Sequence, residues 1–137
     1  MKKTIAATLA GLGATLLLSA TSAAAISKLD IGDRATLGPE GTSLTIPVTF
    51  QCDVADASII LNVHVTQAKG HRIADGIGIP TASCTGAAQS LNVLVNLSIF
   101  GVPGVIPFGH GNAAAQVDGF VPGQQLTVGP RAIKIVG

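Results

Sequence analysis

The run Ser43-Leu44-Thr45-Ile46-Pro47-Val48-Thr49-Phe50-Gln51-Cys52 constrains this chain more than any other stretch. Leu44, Ile46, Val48, Phe50 and Cys52 fall on one face; Ser43, Thr45, Pro47, Thr49 and Gln51 fall on the other. That period of two is the pattern of a half-buried β-strand, and a helix would scatter the same residues around its circumference. Pro47 has no N–H to give to a ladder, so the strand is expected at a sheet edge or bulged at that point. The run ends on Cys52, one of only two cysteines, the other being Cys84.

The compartment decides what those cysteines do. Met1-Lys2-Lys3 is a short positive segment, Thr4 to Leu18 is apolar and rich in Ala and Leu, and Ala23-Ala24-Ala25 has the small-residue pattern of a cleavage site. Residues 1–25 therefore read as a secretory signal peptide, and the chain is expected to be secreted and extracellular. Ile26 follows the cut, not Cys, so no lipid anchor is expected, and no second apolar run has the length of a membrane span. In an oxidising compartment an even count of two cysteines predicts one disulfide, Cys52 to Cys84, and no Cys-x-x-Cys spacing points to redox chemistry.

The remaining residues, 26–137, have the length of one domain with a core of its own. Past residue 25 the chain carries six Lys and Arg and seven Asp and Glu, a net charge of −1 with no basic patch. Nucleic-acid binding, which needs many cationic contacts to phosphate, is not expected.

Along the chain, strand patterns alternate with turn signals. Lys28–Leu37 reads as a charged edge strand and Gly38-Pro39-Glu40-Gly41 as a turn. Ala57–Gln67 alternates with Ile59, Leu61, Val63 and Val65 on one face and Ile60, Asn62, His64 and Thr66 on the other. Ala68-Lys69 is the expected hairpin tip, returning through His71–Ile79. Gln89–Ile99 places Leu91, Val93, Val95 and Leu97 on one side. Asn112–Phe120 is alanine-rich, Val121-Pro122-Gly123-Gln124 is a turn, and Gln125–Val136 is broken by Gly129-Pro130. About seven short antiparallel strands with turns every 8–12 residues predict an all-β, immunoglobulin-like sandwich.

The segments LTIPVTFQC, ILNVHVTQAKG, ASCTG and QSLNVLVNL, behind a signal peptide, resemble the small secreted immunoglobulin-like proteins of actinobacteria, most of which have no assigned function. The chain is more distantly similar to chromophore-binding apoproteins of the neocarzinostatin type. Those carry two disulfides where this chain can form one. The second resemblance implies a carrier of a hydrophobic small molecule.

Catalytic chemistry has little to stand on. His64 and His71 would lie on one outer face if Ala68-Lys69 is the tip, with Thr66 facing His71 and His64 diagonal to it. Two histidines make an incomplete metal site, for which Asp75 is the third candidate, and no metal or cofactor is expected. His110 and Asp118 lack a Gly-x-Ser-x-Gly elbow, and the acids fall mostly in turns, so no enzyme is expected. The anomalous segment is the Gly/Pro-rich loop with Ile99, Phe100, Val102, Val105, Ile106 and Phe108, which is apolar where loops are usually polar. It either caps an open end of the sandwich or offers an apolar surface to a protein partner or hydrophobic ligand. The expected function is that of a secreted, non-enzymatic binding or cell-envelope-associated protein, the alternative being the hydrophobic carrier using loop 99–108.

Overall fold

A computed structural model describes residues 25–98 and 106–137 of the chain, so the expected signal peptide, apart from Ala25, lies outside the described residues. Nine strands follow one another: β1 (Ile26–Ile31), β2 (Arg34–Leu37), β3 (Ser43–Cys52), β4 (Ser58–Lys69), β5 (Arg72–Gly78), β6 (Thr81–Ser83), β7 (Gln89–Leu97), β8 (Gly111–Val121) and β9 (Gln124–Val136). The pairing runs β3-β2-β9-β8-β4-β5-β7 and returns to β3, closing seven strands into a barrel. β1 lies beside β3, and β6 continues the partnership of β4 beyond β5. All pairings are antiparallel except β2 with β9, which is parallel.

The expected pair of facing sheets is thus replaced by a closed barrel, and two local features close it. At one corner β5 pairs with β4 along its length and also with β7 at Gly76 and Ile77. Its inward side is Ala74, Gly76 and Gly78. A Cβ on Gly78 would stand 2.2 Å from the Leu94 carbonyl oxygen, so the approach of β7 to β5 requires a residue without a side chain. At the other corner the expected single strand Lys28–Leu37 breaks at Gly32-Asp33. β1, which carries Lys28 and Asp30, lies at the end of the strand order with β3 on one side and is the edge its charges predicted, while β2 reaches β9 as well and is not an edge.

β3 is not an edge strand either: it pairs with β7 on one side and with β1 and β2 on the other. Nor is β3 bulged at Pro47, where its register with β7 runs without a break from Ser43 to Phe50. The Gly32 N–H donates to the Pro47 carbonyl at 2.8 Å, so the missing donor of Pro47 is aimed at the break between β1 and β2, where no ladder partner is needed. A Cβ on Gly32 would lie 2.6 Å from Pro47 Cγ, so the ring takes the space a side chain would fill.

The alternating face of β3 is the heart of the core, with Leu44, Ile46, Val48, Phe50 and Cys52 all buried against Ile59, Leu61, Val63, Val65, Val93, Val95 and Val117. At about 1.5–3 kcal/mol for each large apolar side chain, this set dominates the stability of the domain. Cys52 and Cys84 form the expected disulfide, buried at one end of the barrel. In β9, Gly129-Pro130 makes a bulge and does not end the strand: Ala115 opposes Arg131 while Val117 opposes Val128, leaving two residues of β9 opposite one of β8.

Candidate functional site

The β4–β5 hairpin turns two residues later than expected. Lys69 pairs with Arg72, and the tip is Gly70-His71, with Gly70 at φ +65° in the first central position, where two-residue hairpins favour glycine. The shift moves every cross-strand neighbour. His71 stands exposed at the tip and does not meet Thr66. Thr66 faces Asp75 instead, and His64 Nε2 donates to Asp75 Oδ1 at 2.5 Å. Both side chains of this pair are close to half exposed. Among the described residues no three His, Cys, Asp or Glu side chains converge as a metal site would need.

On the same outer face, the next row is built of small side chains. Ala114 of β8 lies between Thr66 of β4 and Ala132 of β9. Because these residues are short, the surface sinks into a shallow hollow of about 350 Å³ lined by Thr66, Ala68, Asn112, Ala113 and Ala114. Ile73 borders it across from Ala68, and Asp75 across from Thr66. The hollow therefore offers a hydroxyl, a carboxamide and alanine methyls, with a carboxylate and an imidazole on its rim. This set can hydrogen-bond a ligand and cover an apolar patch of it; it holds no arranged nucleophile and base.

His110 and Asp118 do not come together. His110 lies at the start of β8 near the C-terminal Gly137, and Asp118 is eight residues further along the strand, about 26 Å at the rise of an extended chain. Asp118 accepts instead from Thr127 Oγ1 at 2.5 Å.

Within the apolar loop, Ile99, Phe100, Val102 and Val105 lie outside the described residues. Phe108 is buried in the core, with its N–H donating to the Gly41 carbonyl at 2.9 Å, and Ile106 packs half-buried beside that core. A Cβ on Gly76 would lie 2.9 Å from Phe108 Cζ, so the ring closes the barrel at the end opposite the disulfide. Phe108 thus acts as a cap and presents no surface to a partner.

Gln67 is a buried polar residue with a structural task at the end of β4. It continues the buried alternation of Ile59, Leu61, Val63 and Val65, and it is 3% exposed. Its Nε2 donates to the Gly109 carbonyl at 2.8 Å and its Oε1 accepts from the Gly109 N–H at 2.9 Å. The period of two, carried one step further, would have flagged it as a polar residue on a core face. No protein-family model matches this chain, and no curated protein matches it in sequence.

Proposed function

We propose that this chain is an exported, non-catalytic binding protein that meets its ligand or partner on the outer face of β9, β8, β4 and β5. The observation that carries this reading is the hollow of Thr66, Ala68, Asn112, Ala113 and Ala114 with the His64–Asp75 pair on its rim. A concave patch with a few placed polar groups is what recognition uses, and its volume is at the lower end of small-molecule sites. Export rests on the leader pattern of residues 1–25 and agrees with a buried disulfide in so small a domain. Association with the cell envelope belongs to the same proposal.

Kinship with the secreted immunoglobulin-like proteins is part of it too. One run of neighbours in the barrel is β1-β3-β7 and another is β4-β8-β9, with β5 paired to β4 over seven positions and to β7 over two. The first run matches strands A, B and E and the second strands C, F and G of a constant-type immunoglobulin domain, which supports this reading. The carrier alternative loses Phe108 to the core; among the described residues the surface hollow is the place it would use for a small molecule.

The test is affinity capture from the producing cell's envelope and medium, with wild-type protein and an Ala114→Trp variant that fills the hollow. Capture by the wild type and its loss in the variant are expected; equal capture by both would remove the hollow from the function. Intact mass of the protein recovered from the medium reads the rest. A mass starting at Ile26 supports export and cleavage, and an intact leader on a cell-retained protein opposes it.

A further inference from the structure

The outer face of β8 and β4 continues well beyond the hollow. On β8 the outward side chains after Ala114 are Gln116, Asp118 and Phe120, and opposite them on β4 stand His64, Asn62 and Ile60. From Asn112 to Phe120 this strip is about 26 Å long at the rise of a strand. Phe120 lies half-buried on the side of β8 away from the core residues Val117 and Val121, next to Ile60, which is 42% exposed. Core packing does not account for an aromatic ring set on the outside of the sheet.

Between the hollow and the ring the side chains are of one chemical kind. Among the described residues, the side-chain hydrogen bonds on this face are His64 to Asp75 and Thr127 to Asp118. They occupy one oxygen of each carboxylate and leave the carboxamides of Asn62, Asn112 and Gln116 without a partner in the protein. Each carboxamide therefore has both donors and an acceptor to offer, and each carboxylate a second oxygen. The cations stand at one corner, Lys134 beside Asn112 and, beyond it on β2, Arg34. They balance Asp75 and Asp118, so no single sign of charge dominates the face.

We propose that the ligand of this face is a neutral polysaccharide lying along β4 and β8, an assignment that rests on the binding role proposed above and names the chemistry it serves. Neighbouring hydroxyls of a sugar donate and accept at adjacent atoms, which is what carboxamides and half-used carboxylates match, and the C–H face of a sugar ring packs on an aromatic ring. Other polymers suit the face less well. A peptide is taken up at a strand edge, in an apolar groove, on aromatic-lined clefts or by arginine clusters, and this strip is the open face of strands already paired. A phosphate polymer needs many cationic contacts, and here the cations are confined to a corner.

The test is capture from an envelope extract of the producing cell, treated beforehand with protease or with periodate, which cleaves vicinal diols. Capture that Ala114→Trp abolishes should survive protease and be lost to periodate. Capture lost to protease and kept after periodate overturns the polysaccharide and leaves the binding role standing; no capture sensitive to Ala114→Trp removes the binding role itself. Retention of the captured polysaccharide fraction should not change between about 0.1 and 1 M salt, where the screening length falls to about 3 Å. Release at high salt would assign a charged polymer and overturn the neutral one. Gln116→Ala and Phe120→Ala should each weaken retention roughly tenfold or more, while Asn92→Ala, exposed on the opposite sheet, should leave it unchanged. Gln116 has no partner to lose within the protein, so its variant reads the face even where loss of the ring disturbs folding. Retention equal to wild type in Gln116→Ala and Phe120→Ala overturns the proposal.

Discussion

Gln67 and Gly109 hold each other through two hydrogen bonds, the side-chain amide of one matching both backbone groups of the other. Through this clamp the end of β4 fixes the segment that leads from Phe108 into β8. Gln67→Leu keeps the volume and removes both partners, leaving the Gly109 N–H and carbonyl unsatisfied. A loss of about 1–3 kcal/mol in urea unfolding is expected. Unchanged stability would mean that water satisfies Gly109 equally well.

Phe108 closes the same end of the barrel by filling it. Phe108→Ala removes a buried ring and should cost about 3–5 kcal/mol, or roughly 10 °C or more in thermal midpoint for a domain of this size. Ile106→Ala, at a half-buried position, should cost distinctly less. Equal effects at the two positions would show that Phe108 is not the residue that plugs the barrel.

The disulfide joins residues 32 apart, tying the end of β3 to the loop before β7. The chain-entropy estimate for a loop of this length is about 3–4 kcal/mol. Cys52→Ala/Cys84→Ala should lower the urea midpoint accordingly, with a steeper denaturant slope because the unfolded chain without the cross-link exposes more surface. Reduction of the wild type should reproduce the shift.

The His64–Asp75 pair is open to water, so its coupling should be small. A double-mutant cycle with His64→Ala and Asp75→Ala is expected to give about 0.2–1 kcal/mol, falling as salt rises. A coupling several times larger would mean that the pair is a structural element of the hairpin and not a group held out for a ligand. In captured material the same two variants should weaken ligand retention, since both side chains stand on the rim of the hollow.

The elements were legible where the period was unbroken. Ser43–Cys52 has the same limits as a sequence pattern and as β3, and its five inward residues are the five the alternation names. The errors cluster where backbone geometry outranks composition. Gly70 moved the hairpin tip by two residues, and with it the partner of His64 changed from His71 to Asp75. The same kind of local rule misplaces Pro47, whose missing N–H predicts an edge or a bulge, whereas the break at Gly32-Asp33 accommodates it in a paired, regular strand. β5 was legible as a strand but not as one turned outward, because nothing in Ile73–Ile79 alone says which of its alternating faces meets the interior.

By itself the sequence determined the strand class, the Cys52–Cys84 pairing and the inward face of β3, because each depends on chain period or on a count of two thiols. Only the tertiary structure decided that the sheets close into a barrel, that Phe108 plugs it, and that short residues of two neighbouring strands sink into a hollow beside His64 and Asp75. Those outcomes depend on which strands lie side by side and in what register, and the relevant pairings join residues far apart in the chain, such as Thr66 with Ala114 and Thr36 with Val136. Local periodicity carries no information about such distant partners; close backbone approach at Gly76 and Gly78 and the break at Gly32-Asp33 select them.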